Sequence, residues 1–185
     1  MMAHFTFRQC AAMTMAITLS GVLAPSARAQ AQASLIETQA LRCSALTFIH
    51  STLTVPSPQF GEVMTEVASL FAQIHASHYA MRTKSKLTMA DLRRGRDGMV
   101  AELNKGWPAN KARVIKEAAI CNMWRSSLFA TLPDTATDKH IQAAIDGIGN
   151  PPKEPVKAET DKWTMLTPMA FDMWAQVKVA PAKKK

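Results

Sequence analysis

The amino-acid sequence predicts an all-α protein. Its expected architecture is an up-down four-helix bundle, cross-linked by one disulfide and followed by additional short C-terminal helices. Composition is the first indication, because the 185 residues include only one Tyr, whereas strands favour aromatic and β-branched residues. Periodicity is the second, since apolar residues recur at steps of three and four along most of the chain. The third is the position of Pro and Gly between these periodic stretches, where they end helices.

The first two helices are separated by a proline-rich joint. The first begins after Ser34, because a Ser followed three residues later by Glu37 is typical of a capping box, and its stripe continues to about Thr52. A Pro-Ser-Pro run at 56–58 then interrupts the helix. The second helix has the clearest stripe in the chain and is expected to end within 82–86. Its stripe consists of Phe60, Met64, Val67, Phe71, Ile74, His78 and Met81.

Two further helices are predicted over 88–105 and 111–130 to complete the bundle. Thr88, with Asp91 three residues later, caps the third helix, and a Lys-Gly pair ends it. The apolar stripe of this helix contains one charged residue, Arg96. Short joints between consecutive helices favour antiparallel neighbours.

The C-terminal third is expected to be less regular. A shorter helix over 137–146 closes a bundle domain that spans 30–148. A linker rich in Pro and Gly follows at 149–160. The segment 161–185 is predicted to hold a short amphipathic helix, beginning near Thr167, and a tail of lysines.

Residues 1–29 are predicted to be a secretory signal peptide. Arg8 gives a basic start, 10–24 is apolar without charge, and Ala-Arg-Ala at 27–29 matches a small-x-small cleavage pattern. The alternative is a short membrane anchor, but an apolar run of about 15 residues is below the roughly 20 that span a bilayer. The cleaved protein is therefore expected to be periplasmic or secreted. It is also expected to be basic, since losing Arg8 and Arg28 with residues 1–29 lowers the formal net charge only from +8 to +6.

Cleavage near Ala29 would leave two cysteines, Cys43 and Cys121. An even count in an oxidising compartment favours one disulfide over the alternative of two buried free thiols. In an up-down bundle, Cys43 lies about 14 Å from the end of the first helix, and Cys121 lies about 16 Å from the same end on the fourth. The two residues then stand at similar heights on neighbouring helices, as a disulfide requires.

Positive charge is concentrated on the third and fourth helices, because residues 82–125 contain eleven Lys or Arg and four Asp or Glu. The basic residues expected on the outer face are Arg93, Arg94, Lys111, Arg113 and Lys116. Nucleic acid is not expected to be the partner of an exported protein, so an anionic envelope component or an acidic protein is the expected partner. A solvated face that aids solubility is the alternative.

The apolar segment after the linker is a second candidate for a partner-binding element. Phe171 and Trp174 are the large apolar side chains near its end, and a lysine run follows them. The predicted helix has only a couple of turns, which favours docking on a protein over binding at a membrane surface.

Metal handling is the alternative function. His75 and His78 lie one turn apart, a spacing that allows two imidazoles to bind Zn or Cu. Met169 and Met173 share one face of the last helix, and thioethers favour Cu(I). Two ligands are too few for a closed site, and methionines commonly fill gaps in a core, so partner binding remains the leading hypothesis.

Enzymatic motifs are absent from the sequence. It contains no Cys-x-x-Cys-His haem site, no glycine-rich phosphate loop, no Gly-x-Ser-x-Gly elbow and no His-Glu-x-x-His pair. The acidic residues are scattered along the chain. The sequence therefore predicts a non-enzymatic protein without a bound cofactor.

Overall fold

A computed structural model describes residues 34–179. This part of the chain contains six α-helices and no strand, which confirms the predicted all-α class. The helices are α1 (Leu35–His50), α2 (Phe60–Thr83), α3 (Met89–Gly106), α4 (Lys111–Phe129), α5 (Asp138–Asp146) and α6 (Lys157–Val179). The predicted signal peptide at 1–29 and the final lysines lie outside the described residues.

The first five helices begin and end within about two residues of the predicted positions, because local capping residues and prolines set those ends. At the start of α3, the Thr88 hydroxyl oxygen accepts from the Asp91 backbone N–H, and the Asp91 carboxylate accepts from the Thr88 N–H. Ser34 accepts from the Glu37 N–H in the same way at α1. The Glu37 carboxylate, however, binds Arg82, so only half of the capping box predicted there is present.

Helix α1 is the centre of the fold and packs against α2, α3, α4 and α6. Ala40, Ala45 and Leu46, which face different directions around the helix, are all fully buried. No residue of α1 from Ala40 to His50 is exposed, whereas the sequence stripe predicted a single buried face. The up-down order of the four bundle helices stays a prediction.

The disulfide predicted between Cys43 and Cys121 is present. It joins α1 to α4, its Cα atoms are 5.5 Å apart, and both residues are buried. The rings of Phe71 and Trp124, on α2 and α4, lie 5.6 Å apart in the same core. Among residues 34–179, no helix is long and apolar enough to cross a membrane.

Ion pairs add polar links between α1 and its neighbours. Both Glu37 carboxylate oxygens accept hydrogen bonds from the Arg82 guanidinium of α2, each at 2.7 Å, and these bonds hold the pKa of Glu37 below its ordinary value. The Arg42 Nε lies 2.6 Å from Glu117 of α4, and a second guanidinium nitrogen lies 3.3 Å from Glu102 of α3. Bidentate and shared guanidinium contacts of this kind orient the helices that carry them.

Helix α6 is longer than predicted, with 23 residues, and begins at Lys157 instead of Thr167. The predicted start relied on Pro168, which cannot donate a helical hydrogen bond and disfavours a helical residue before it. That start is wrong because tertiary packing outweighs the local effect of Pro168. The α6 side chains buried on both sides of the proline are Trp163, Leu166, Thr167, Ala170 and Phe171.

A buried histidine joins α6 to α1. His50 Nδ1 lies 2.7 Å from the Leu46 carbonyl oxygen, and Nε2 lies 3.1 Å from the Thr167 hydroxyl. Because a carbonyl oxygen only accepts, Nδ1 must carry the proton, and in the neutral imidazole Nε2 then accepts from Thr167. The Trp163 ring meets the imidazole edge-on, with centroids 4.7 Å apart. This geometry fits a neutral His50.

Two helical glycines differ sharply in the space around them. A Cβ at Gly61 of α2 would lie 2.5 Å from the Ser51 carbonyl oxygen and 3.0 Å from that of Leu53. At Gly98 of α3, the Cβ position has no neighbouring atom of the described chain within 4 Å. Alanine substitutions at these two glycines therefore separate the cost of a steric clash from the effect of helix propensity.

We expect Gly61→Ala to lower the free energy of unfolding by about 1–2 kcal/mol, because the backbone after α1 must move. Gly98→Ala is expected to raise it by about 0.5–1 kcal/mol, because alanine favours the helix without a clash. Urea denaturation followed by circular dichroism measures both changes. A shift of the same sign in the two variants would contradict the argument.

Candidate functional site

A groove of about 260 Å³ lies between α2 and α3, with α1 as its floor. Ser44 and Phe48 of α1 form that floor. The α2 wall is formed by Thr65, Ala68, Ser69, Ala72 and Gln73. The α3 wall is formed by Met89, Leu92, Arg93 and Arg96.

Helical spacing explains both walls of this α2–α3 groove. The α2 residues recur at steps of three and four, and most are small, which leaves room between the helices. The α3 residues follow the same spacing from Met89 to Arg96, so the wall is about 10 Å long at the helical rise. The groove thus combines a narrow base, in which Phe48 is apolar and Ser44 polar, with two arginines on one wall.

Arg96 is held in place by an aromatic ring. Its guanidinium carbon lies 3.7 Å from the centre of the Phe48 ring, and Phe48 in turn meets Trp174 of α6 edge-on at 5.3 Å. Arg96 also contacts the Asp97 carboxylate at 3.0 Å, and its side chain is 24% exposed. A cation fixed over a ring keeps its charge while losing little freedom when it binds an anion.

Arg93 and Arg96 give the groove its charge. Arg93 is exposed and forms no ion pair with the described residues. Among the described residues that line the groove, none is Asp, Glu, His or Cys. Asp97 offsets part of the Arg96 charge from outside the lining, whereas Arg93 has no ion pair among the described residues, so the charged side chains of the groove favour an anionic group.

The other basic residues predicted to bind a partner lie outside this groove. Arg94 is 78% exposed and pairs with Asp91 on its own helix. Lys116 Nζ lies 2.7 Å from Glu154, and Arg113 Nε lies 3.9 Å from Glu117. Lys111 is exposed at the start of α4. Of the five basic residues predicted to bind a partner, only Arg93 lines the groove.

The two aromatic residues predicted to bind a partner are used inside the protein. Phe171 is 1% exposed and stacks on Trp107, with centroids 4.2 Å apart, so it has no free surface to offer. Trp174 is half-buried and packs against Phe48. Phe171 and Trp174 are placed against the core because α6 is long and packs along it. The sequence predicted only a short helix in this segment.

The residues predicted to bind metal point to separate neighbours. His75 Nδ1 donates to the Glu37 carbonyl oxygen of α1 at 2.9 Å, whereas His78 Nε2 donates to the Ile145 carbonyl oxygen of α5 at 3.2 Å. On α6, Met169 is exposed and Met173 packs against the core. Within 34–179, no three His, Cys, Asp or Glu side chains are grouped so that they could hold a metal ion.

Sequence reasoning did not select Arg96 as a site residue, although a signal existed. It is the charged residue on the apolar stripe of the third predicted helix, and such a residue faces its neighbours instead of the solvent. The identity of those neighbours could not be read from the stripe.

No family model, curated protein or solved structure matches this chain. The functional proposal therefore rests on the residues and geometry of the groove.

Proposed function

We propose that this is an exported, non-enzymatic helical protein that binds an anionic amphiphile in the α2–α3 groove. The observation that carries the proposal is that Arg93 and Arg96 lie beside apolar side chains in a groove whose described lining contains no carboxylate. These apolar side chains are Phe48, Ala68, Ala72 and Leu92. The phosphate or carboxylate of the ligand would contact the guanidinium groups, and its apolar part would lie along Leu92 and Ala68.

Export is supported by the disulfide between Cys43 and Cys121, since such bonds persist in oxidising compartments. The predicted signal peptide at 1–29 supports it from the sequence. The non-enzymatic part of the proposal rests on the sequence, in which no catalytic motif was found.

Metal handling, the alternative function, receives less support. His75 and His78 each donate to a different backbone carbonyl, on α1 and α5 respectively, and a shared metal ion would compete with these hydrogen bonds. The groove, in contrast, has cationic side chains already positioned on one wall. Anionic binding is therefore the function that the geometry favours.

The groove is tested with eight-carbon probes that differ only in their head group. We expect octyl phosphate to bind the full chain, and octanol and octylammonium to bind at least about tenfold more weakly, because neither offers an acceptor anion. Isothermal titration calorimetry measures the dissociation constants. Raising the salt concentration is expected to weaken octyl phosphate binding, since exposed charges are screened.

Neighbouring arginines on α3 give the matched control. Arg93→Gln is expected to weaken octyl phosphate binding by about tenfold, whereas Arg94→Gln, which lies outside the groove, is expected to leave it unchanged. Equal binding of the three probes, or equal losses in the two variants, would overturn the proposal. Capture of polyglutamate in place of octyl phosphate would indicate an acidic protein partner and would also overturn it.

A further inference from the structure

A second cavity, of about 450 Å³, lies between α2, the end of α4 and α5. One part of its lining is apolar and comes from all three helices. These side chains are Val63, Leu70, Phe129 and Ile141. Val63 and Phe129 are both more than two-fifths exposed, which is unusual for large apolar side chains and leaves apolar surface for a ligand.

Arg125 contributes a cation to this cavity. Its Nε–H group is buried and donates no hydrogen bond to any residue within 34–179. The guanidinium carbon lies 6.0 Å from the centre of the Phe129 ring, and no carboxylate of the described chain is at ion-pair distance from it. Arg125 therefore places a guanidinium charge that no described carboxylate neutralises at the wall of the cavity, and this charge favours a negatively charged group there.

Two carboxylates face the same cavity. Glu66 projects from α2 and Asp138 from the first turn of α5, and neither forms an ion pair with the described residues. A ligand that is only anionic would be repelled by both carboxylates. A ligand that is only cationic would be repelled by the Arg125 guanidinium. A ligand with both charges places an anion beside Arg125 and a cation beside Glu66 or Asp138.

We propose that this cavity binds a small zwitterion with an apolar side chain, which is the chemistry of a free apolar α-amino acid. The carboxylate of the ligand pairs with Arg125, and its ammonium group pairs with Glu66 or Asp138. Its side chain lies against Phe129 and Ile141. The cavity shares only Gln73 with the α2–α3 groove, and its ligand does not depend on the function proposed for that groove.

A ligand series on the unmodified full chain tests the two charges and the side chain in turn. L-phenylalanine is expected to bind in a calorimetric titration. N-acetyl-L-phenylalanine lacks the ammonium group, L-phenylalaninamide lacks the carboxylate, and glycine lacks the side chain. Each is expected to bind at least about tenfold more weakly, since each leaves one recognised group unpaired.

Three variants locate the site. Arg125→Gln, Glu66→Gln and Asp138→Asn remove one charge each, and Arg94→Gln on α3 is the control outside the cavity. We expect Arg125→Gln to reduce L-phenylalanine affinity by about tenfold or more, and at least one carboxylate variant to do the same. Circular dichroism establishes that each variant is folded. If Arg125→Gln does not fold, the Glu66 and Asp138 variants, which change exposed side chains, and the ligand series still test whether the cavity binds the zwitterion.

Several results would overturn the proposal. One is the absence of L-phenylalanine binding at millimolar concentration. Another is equal affinity for L-phenylalanine and its acetylated or amidated derivative, which would mean that one charge is not recognised. A third is equal affinity in the wild type and all the folded variants. None of these results bears on octyl phosphate binding by the groove.

Discussion

A variant in which alanine replaces both Cys43 and Cys121 is expected to lose about 2–5 kcal/mol of unfolding free energy relative to the oxidised wild type. The bond joins residues 78 positions apart in the chain, and it links the central helix α1 to α4. In the chain-entropy description, closing so long a loop restricts the unfolded chain and gives about 4.5 kcal/mol as an upper guide. Urea denaturation at neutral pH measures the loss.

The reduced wild type separates the cross-link from packing. Both cysteines are buried, so alanine also removes sulfur atoms from the core, at a further cost. Treatment with dithiothreitol breaks the bond and keeps the sulfur atoms. We therefore expect the reduced wild type to be less stable than the oxidised protein, and the double variant to be less stable still. A double variant as stable as the oxidised protein would contradict this reasoning.

Lowering the pH from 7 to 4.5 is expected to reduce the unfolding free energy through His50. Burial lowers the pKa of His50 from 6.5 to about 4, because the charged imidazole loses its hydration, and the Leu46 hydrogen bond offsets this only in part. Trp163 and Thr167, which contact the ring, supply no negative charge. The folded protein therefore resists protonation of this side chain.

The sign follows from which state binds the proton. Below pH 6.5 the unfolded chain protonates His50 while the folded protein does not, so the stabilising contribution is full above that pH and is lost as the pH falls towards about 4. Between pH 7 and 4.5 the expected loss is about 2–3 kcal/mol. The ion-paired Glu37, whose pKa is lowered from 4.5, loses its contribution at still lower pH.

A histidine variant isolates this effect. His50→Gln lacks the titrating ring, so its unfolding free energy should vary less with pH across this window, although the variant is less stable at pH 7. Urea denaturation at several pH values measures the slope for the variant and for the wild type. Identical slopes for His50→Gln and the wild type would exclude His50 as the cause.

Local signals predicted most helix ends correctly. The Thr88 and Asp91 side chains satisfy the first N–H groups of α3 regardless of the rest of the fold, so the start of that helix can be read from the sequence. Pro168 is the counterexample. Its local effect predicted a helix start, but the burial of Trp163 and Phe171 on either side favours one continuous helix.

The candidate site was only partly predictable. Charge counting identified the basic region and included Arg93, but it treated Arg93 and Arg94 alike. One lines the α2–α3 groove and the other pairs with Asp91 on the outside, a difference that depends on where α2 lies. The same applies to Phe171, which composition suggested as an exposed anchor and which packing places in the core.

The amino-acid sequence by itself determined the helical class, the ends of five helices and the pairing of Cys43 with Cys121. The helical class and the helix ends depend on periodicity and capping, which are local properties. The disulfide pairing depends on the cysteine count, because cleavage near Ala29 would leave only two cysteines to pair. Tertiary structure alone decided that α1 is central, that α6 continues through Pro168 and that Arg93 and Arg96 share a groove. The physical reason is that periodicity shows which face of a helix is buried, whereas the helix that covers that face is chosen by packing of the whole chain.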